Sequence, residues 1–405
     1  MKMSLGTKVV VIGQGYVGLP LALEAAKSGW RVTGIEIDTE KFSLLSKGIS
    51  PIEDVSDSQL QDSLQDNSYV VNQTFESLGQ ADIIVICVPT PLDFDGKPQL
   101  APLRDVVAEI IKAAPDQALI INESTSYPGT VREEIEAKIL KARPSSQMLF
   151  VAAPERVDPG NSKFNHRNTP RIIGSDSSEG ARKAKEFYES FCEEVIVCAD
   201  SITVEMTKLL ENSYRLVNIA LINEIAEICA ISNIDVRQVI AAAQTKPFGF
   251  MAFKPGLGVG GHCIPVDPMY LAWYAQKVGS DASLIELSSS VNHKRTQNIS
   301  RRIRDLVPVE GRILVVGLGY KAQTRDTRES PSLELIHSLR KEGLKVLWQD
   351  SFVGQWNGES SEESLDADLL VYVHPYLTVA DLGKFKGIIV DLTGTLKGLQ
   401  RVLSF

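Results

Sequence analysis

At 405 residues the chain is too long for one ordinary hydrophobic core, and two or three domains are expected. Its 43% hydrophobic and 23% charged residues are those of a soluble globular protein. A net charge of −9 with no long basic run argues against a nucleic-acid groove or an anionic membrane surface as partner. No apolar stretch approaches the roughly 20 residues that span a bilayer. Met1 to Gly13 runs directly into a glycine fingerprint, so it reads as a first strand and not as a signal peptide. Five cysteines without regular spacing suit a reducing compartment, and the cytoplasm is the expected location.

The β-branched run Lys8–Ile12 ends in Gly13-Gln14-Gly15-Tyr16-Val17-Gly18. A helical stretch from Leu19 to Ser28 follows and stops at Gly29; Arg31 to Ile35 is the next strand, with Glu36 and Asp38 at its end. Further strands are expected over Asp82–Val88, Ala118–Asn122 and Met148–Ala153, each ending in polar residues, where a doubly wound sheet binds its ligand. Residues 1–198 form one α/β domain in this reading. Ser201 to Ile231 is helical in pattern and free of glycine and proline, longer than a typical globular helix. Its apolar stripe of Val204, Leu209, Leu216, Ala220 and Ile225 is expected to pack on a second subunit, giving a homodimer or a larger homo-oligomer. Residues 199–308 form a mainly helical central domain. A second α/β unit occupies 309–405: a strand over Arg312–Val316, the turn Gly317-Leu318-Gly319, a helix over Ser332–Lys341 stopped by Gly343, and strands over Lys345–Trp348, Leu369–Val373 and Ile388–Val390. The fold class is α/β: two Rossmann-like doubly wound domains joined by a long-helix domain.

The first fingerprint, G-x-G-x-x-G between a strand and a helix, has the context of a dinucleotide site. Gly13 allows the tight turn, Gly15 the approach of the pyrophosphate, and Gly18 close helix–strand packing. Tyr16 and Val17 lie within the same loop. Glu36 should accept the ribose hydroxyls, which favours NAD over NADP; the nearby Lys41 would blur that preference. The segment Gly258 to Pro268 sets Cys263 among Gly258, Gly260 and Gly261, with Asp267 four residues on. Glycines there suit a loop whose backbone approaches a ligand, so Cys263 reads as a nucleophile, whereas Cys87, Cys192, Cys198 and Cys229 lie in apolar patterns and read as structural. His262 is adjacent in sequence but need not point the same way, and it is not assigned as a base. Lys208 and Asn212, four apart on the long helix, share a face and are suited to oxyanion stabilisation or to a solvated helix side. No cysteine or histidine spacing matches a metal site, and no metal is expected.

Taken together, Gly13–Gly18, Val88-Pro89-Thr90-Pro91, Ser124-Thr125, Pro154-Glu155-Arg156, Lys208 with Asn212, Gly260–Cys263 with Asp267, and Gly319-Tyr320-Lys321 through Asp326–Pro331 resemble the UDP-glucose/GDP-mannose dehydrogenase family over nearly the whole chain. The resemblance implies oxidation of the C6 alcohol of a UDP-sugar to a carboxylate with two NAD per cycle. It also implies residue roles. Cys263 would form the thiohemiacetal and thioester; Lys208 and Asn212 would stabilise the oxyanion; Asp267 would support the thiol. Glu155 and Thr125 would serve thioester hydrolysis. Thr90, Thr125 and Arg328 would face the cofactor; Glu155, Arg156, Lys208, Asn212, Gly260 and Lys321 would contact the nucleotide sugar. Residues 309–405 would bind its UDP.

The stretch Pro154–Asn161, with Pro159 where the glucose-type pattern has a second glutamate, looks like the N-acetylhexosamine branch, as do Lys246–Phe250 and Phe253–Gly256. Among these it is most similar to UDP-N-acetylglucosamine 6-dehydrogenases, with the N-acetylmannosamine enzymes close by. Asp391–Gly394 lacks an arginine that many relatives carry there. A two-electron β-hydroxyacid dehydrogenase would lack the Cys263 loop and the third domain. A non-catalytic nucleotide-sugar-binding subunit would not need Lys208, Asn212 and Cys263 together.

Overall fold

A computed structural model describes residues 6–158, 163–308, 310–396 and 398–404. The chain divides into two compact units, residues 1–210 and 211–405.

In the first unit the chain runs β1 (Lys8–Ile12), α1 (Gly18–Lys27), β2 (Arg31–Ile35), α2 (Thr39–Ser46), α3 (Asp57–Gln65), β3 (Tyr69–Asn72), β4 (Ile83–Ile86), α4 (Ala101–Ala113), β5 (Leu119–Asn122), α5 (Ala137–Ala142) and β6 (Leu149–Ala152). β7 (Arg171–Ile173), α6 (Ser178–Tyr188) and β8 (Val195–Val197) follow. Six strands pair in parallel in the order β3-β2-β1-β4-β5-β6, so the order reverses between β1 and β4. All four residues of β4 and of β5 are buried, the unbroken apolar run that a sheet covered on both faces requires. The core joins Val9, Val11, Leu19, Ile83, Val85 and Ile121 to Phe187 and Tyr188 of α6. Gly29, at φ 94°, ends the first helix as its position suggests.

The long helix α7 covers Ser201–Ile231, the span the sequence predicts. Its burial corrects the expected stripe. Val204, Leu209, Leu216 and Ala220 are buried within the chain itself, and Ile225 packs beside the core of Ile222, Ala226, Cys229, Val236 and Ile240. That face is therefore occupied. A different apolar row stays exposed: Leu210, Tyr214, Leu221, Ile228 and Ile231, the last 87% accessible. Periodicity locates apolar residues on a helix but does not say which of two apolar faces its own chain will cover.

In the second unit α8 (Val236–Gln244), α9 (Asp267–Lys277) and α10 (Ser283–Arg304) precede β9 (Arg312–Val316), α11 (Pro331–Lys341), β10 (Lys345–Gln349), the short hairpin β11 (Gln355–Trp356) with β12 (Glu359–Ser360), β13 (Leu369–Tyr372), α12 (Val379–Lys384), β14 (Ile388–Asp391) and β15 (Val402–Ser404). The parallel order β10-β9-β13-β14-β15 again reverses beside the first strand. α10 packs against both α9 and α11, tying the helical segment to the sheet layer. No helix among the described residues is long and apolar enough to cross a membrane.

The two outer fingerprint glycines are fixed by packing. A Cβ on Gly13, at φ 91°, would lie 2.4 Å from the Cys87 carbonyl oxygen, and one on Gly18 would lie 1.9 Å from the Gly13 oxygen. A Cβ on Gly15 meets nothing within 4 Å. Gly18→Ala is therefore expected to destabilise the protein by about 1–3 kcal/mol, as overpacking does, whereas Gly15→Ala should leave the thermal midpoint unchanged. Thermal unfolding of both variants checks this; equal midpoints would remove the packing reading of Gly18.

Candidate active site

The loops after β1, β4 and β5 lie at the reversal point of the first sheet. Glu36, at the end of β2, is buried; its Oε2 accepts the Gln14 amide at 3.1 Å and its Oε1 the Asp38 amide at 2.9 Å. One carboxylate thus holds the fingerprint loop and its own turn. Tyr16 donates to Glu53 at 2.8 Å, Val17 and Gly15 are half-buried, and the Lys41 side chain is exposed while its amide caps on Asp38. Ser124 Oγ accepts the Val88 amide at 2.9 Å and donates to the Val88 carbonyl at 2.8 Å, fastening the loop after β5 to the loop after β4. Thr90 and Thr125, the neighbours of that fastening, are half-buried. The open space at Gly15 beside a helix N-terminus fits a pyrophosphate, and the buried acid at Glu36 fits a ribose without a 2′-phosphate.

Glu155 follows β6 and is buried with both oxygens engaged. Oε1 accepts the amides of Arg156 at 2.5 Å and Val157 at 2.7 Å. Oε2 accepts Arg171 Nη2 at 2.8 Å and lies 3.0 Å from His166 Nδ1. The other arm of Arg171 lies 3.3 Å from Glu123 Oε2, and Glu123 Oε1 accepts the Tyr188 hydroxyl at 2.5 Å. The two carboxyls around one guanidinium shift in opposite directions. Burial pushes Glu123 up to about 7 against the pull of Arg171. Burial would raise Glu155 too, but Arg171 and His166 outweigh it and hold Glu155 well below the ordinary carboxylate range. Glu155 has the shorter bond to Arg171, a second cationic partner and two backbone donors. Arg156 itself donates from Nη1 to the Pro170 carbonyl at 2.7 Å. Pro159 to Asn161 lie outside the described residues.

In the second unit Cys263 opens the first turn of α9: its carbonyl accepts the amides of Val266 at 3.3 Å and Asp267 at 2.9 Å. The cysteine is half-buried. Asp267 is buried and accepts Asn212 Nδ2 at 2.5 Å, which links α9 to α7. Lys208, one turn before Asn212, is also buried, so both belong to a covered helix face and not to a solvated one.

The loop glycines have a different reason from the expected one. A Cβ on Gly260 would meet Glu329 O and Pro331 Cδ at 2.8 Å, and one on Gly261, at φ 83°, would meet Tyr320 Cε2 at 2.7 Å. The backbone that approaches so closely is the protein's own loop after β9. The Gly261 amide donates to the Arg328 carbonyl at 3.2 Å.

That loop also supplies partners for His262. Asp326 is held by Arg328 through Nε at 2.9 Å and Nη2 at 2.6 Å, and it lies 3.7 Å from His262 Nδ1. Burial would lower the His262 imidazole, but the Asp326 carboxylate and the neighbouring Cys263 thiol raise it to about 9. Arg328 Nη2 lies 3.1 Å from the same ring, so Arg328 is committed to the cysteine loop as well as half exposed. Lys321 is half-buried on the loop after β9.

Sequence reasoning missed Glu123, His166, Arg171 and Asp326. Arg171 stood as a charge at the head of an apolar run, a signal for a buried ion pair; His166 carried none. Asp350, at the end of β10, accepts the Leu318 amide at 2.7 Å and the Gly319 amide at 3.2 Å, repeating in the second sheet what Glu36 does in the first.

Comparison with known proteins matches three successive domains of one family: the NAD binding domain of the UDP-glucose/GDP-mannose dehydrogenase family over residues 7–192, its central domain over 202–294 and its UDP binding domain over 314–389. The chain is 34% identical over 381 residues to the UDP-N-acetyl-D-mannosamine dehydrogenase of Pyrococcus horikoshii, spanning 91% of this chain and 90% of the relative. It is 30% identical over 411 residues to the UDP-N-acetyl-D-glucosamine 6-dehydrogenase of Pseudomonas aeruginosa, spanning 95% and 96%. The solved structure of the UDP-D-ManNAc dehydrogenase from Pyrococcus horikoshii superimposes with a TM-score of 0.87 at 30% identity, covering 98% of this chain and 99% of that one. The chain thus belongs to the UDP-glucose/GDP-mannose dehydrogenase family and is an NAD-dependent nucleotide-sugar dehydrogenase.

Proposed function

We propose that this enzyme oxidises the C6 alcohol of a UDP-N-acetylhexosamine, UDP-N-acetylglucosamine first, to the uronate through a thioester on Cys263. The observation that carries the mechanism is the placement of Cys263 at the turn leading into α9, whose first residue, Asp267, accepts Asn212 of α7. The N-acetylhexosamine substrate is supported by relatives at 34% and 30% identity whose names specify the two C2 epimers. The gluco choice rests on the pattern of Pro154–Asn161 and Lys246–Gly256. A domain division at 1–198, 199–308 and 309–405 and a cytoplasmic location, suited to five free cysteines, belong to the same reading.

Bound NAD would supply the hydride acceptor, twice per sugar, and the residues proposed to hold it are Gly13, Gly15, Tyr16, Val17, Gly18, Glu36, Lys41, Thr90, Thr125 and Arg328. The remaining work belongs to the side chains. After the alcohol becomes an aldehyde, Cys263 Sγ adds to its carbon; Lys208 and Asn212 stabilise the developing oxyanion, with Asp267 orienting Asn212. A second oxidation at the same carbon leaves the thioester. Water adds to that carbonyl with the help of Glu155 and Thr125, the C–S bond breaks, and the thiol and a carboxylate are released. Arg156, Lys321 and the backbone of Gly260 contact the nucleotide sugar.

A panel of UDP-N-acetylglucosamine, UDP-N-acetylmannosamine and UDP-glucose tests the substrate. The highest kcat/KM should fall on the first; a preference for UDP-glucose would overturn the N-acetylhexosamine assignment. Cys263→Ser should abolish uronate formation, because a hydroxyl is a weak nucleophile near neutral pH; wild-type uronate production would contradict the covalent route. Lys208→Ala should cut kcat by roughly 100-fold or more, the usual cost of one oxyanion donor, and a kcat within about twofold of wild type would leave Lys208 a structural residue.

We also propose a homodimer, or a larger homo-oligomer, through the exposed row Leu210, Tyr214, Leu221, Ile228 and Ile231. Lys208, two residues before Leu210, lies about 200° around the helix from that row. Light scattering should show an oligomer for wild type and a monomer for Leu221→Glu/Ile228→Glu. A monomeric wild type would remove the interface.

A further inference from the structure

The cluster around Glu155 contains more charge than holding a loop requires. Arg171 starts β7, Glu123 follows β5, His166 lies in the loop before β7, and Tyr188 ends α6; Arg171 and His166 meet Glu155 directly, Glu123 meets Arg171, and Tyr188 donates to Glu123. Arg171 is 3% exposed and its two arms divide between Glu155 and Glu123. Its guanidinium also stacks over the Tyr188 ring, 4.8 Å from the centroid, which fixes its plane. The Cys192 thiol donates to the His166 carbonyl at 3.3 Å and anchors the loop that carries the imidazole. The acceptor directions of Glu155 are thus filled from two sides: its own loop on Oε1, the cationic pair on Oε2.

We propose that Arg171, braced by Glu123 and Tyr188, and His166 are positioning residues that keep the Glu155 carboxylate ionised and fixed for the thioester-cleavage step. This rests on the reading of Glu155 as a participant in that step. Neither Arg171 nor His166 needs to touch the sugar; each acts through Glu155. The charged and titratable groups that face Glu155 are Arg171 from β7, His166 from the preceding loop, Glu123 from the end of β5, Cys87 after β4 and Cys192 after α6. The two cations favour its charged form. Glu123, pushed up to about 7, is neutral in the acid range where Glu155 would titrate, and burial holds both thiols up and neutral.

The sign of the pH effect follows. In the wild type, Glu155 stays ionised to below the ordinary carboxylate range, so thioester cleavage should have no acid limb from this residue at about pH 5 or above. Removing a neighbouring positive charge raises its pKa, and cleavage should then fail as pH is lowered through the new value.

The test is the pH dependence of thioester decay, read by intact-protein mass of the Cys263 adduct after rapid quenching with UDP-N-acetylglucosamine and NAD. Arg171→Met should move the acid limb up by at least about one pH unit and raise the adduct population about tenfold at the pH where wild type is unaffected. Arg171→Lys, which keeps the charge, should restore a wild-type limb. His166→Gln should move the limb in the same direction by less. A wild-type limb in both Arg171→Met and His166→Gln overturns the proposal. If Arg171→Met does not fold, the His166→Gln profile decides, and a wild-type limb there overturns it. Glu155→Gln separates the underlying reading: normal turnover with no adduct in that variant removes Glu155 from the chemistry, whereas adduct in Glu155→Gln with wild-type behaviour in Arg171→Met and His166→Gln removes only the positioning role.

Discussion

The carbonyl of Cys263 accepts the amides of Val266 and Asp267, and the placement of this cysteine depends on those two hydrogen bonds. They make the cysteine the entry to a helix, so its backbone is fixed by the first turn of α9 and not left to a free loop. Asp267, the first residue of that helix, is tied to Asn212 on α7, and Gly260 and Gly261 admit Tyr320 and Pro331 at distances no side chain could tolerate. The thiol therefore sits where three segments of the second unit meet: α7, the start of α9 and the loop after β9. In the proposed mechanism the thiol adds to an aldehyde and is later released by water, and such fixation serves both steps, since misplacement would cost rate in each.

Electrostatics divides the buried acids by task. Glu36 and Asp350 each end a second strand and spend their oxygens on the backbone amides of a glycine turn, which shapes the two nucleotide-binding loops. Glu155 and Glu123 share one guanidinium yet shift apart, because Glu155 has the shorter bond to it, an imidazole 3.0 Å from its Oε2 and two backbone donors. Opposed shifts in neighbouring carboxyls are a mark of sites where charge state matters to chemistry. In the second unit Asp326 gathers Arg328 and His262, and the His262 imidazole is raised to about 9.

Much of the fold was legible because its signals are local. β-Branched runs ending in glycine turns gave β1 and β9 at their observed limits, and thirty-one residues without glycine or proline gave α7. β3, the β11–β12 hairpin and β15 were not legible. They are short, lie at edges or carry little apolar alternation, and pairing to a neighbour defines them more than their own residues do. The site divided in the same way. Cys263, Asp267 and Glu155 stand in motifs that single them out as candidates, but the contacts of Arg171, His166 and Glu123 are ones that only the folded chain creates. The α7 stripe was assigned to a partner subunit because a hydrophobic pattern does not reveal what covers it; the chain covers that face and leaves another exposed.

The central claim is that one carbon is oxidised twice while Cys263 holds it between the steps. The most direct test is to count NADH formed per UDP-N-acetylglucosamine consumed to completion with the purified enzyme, with product identified by mass. Two NADH per sugar and a uronate product are predicted. One NADH per sugar, with the aldehyde released, would contradict the account whatever the rates of the variants.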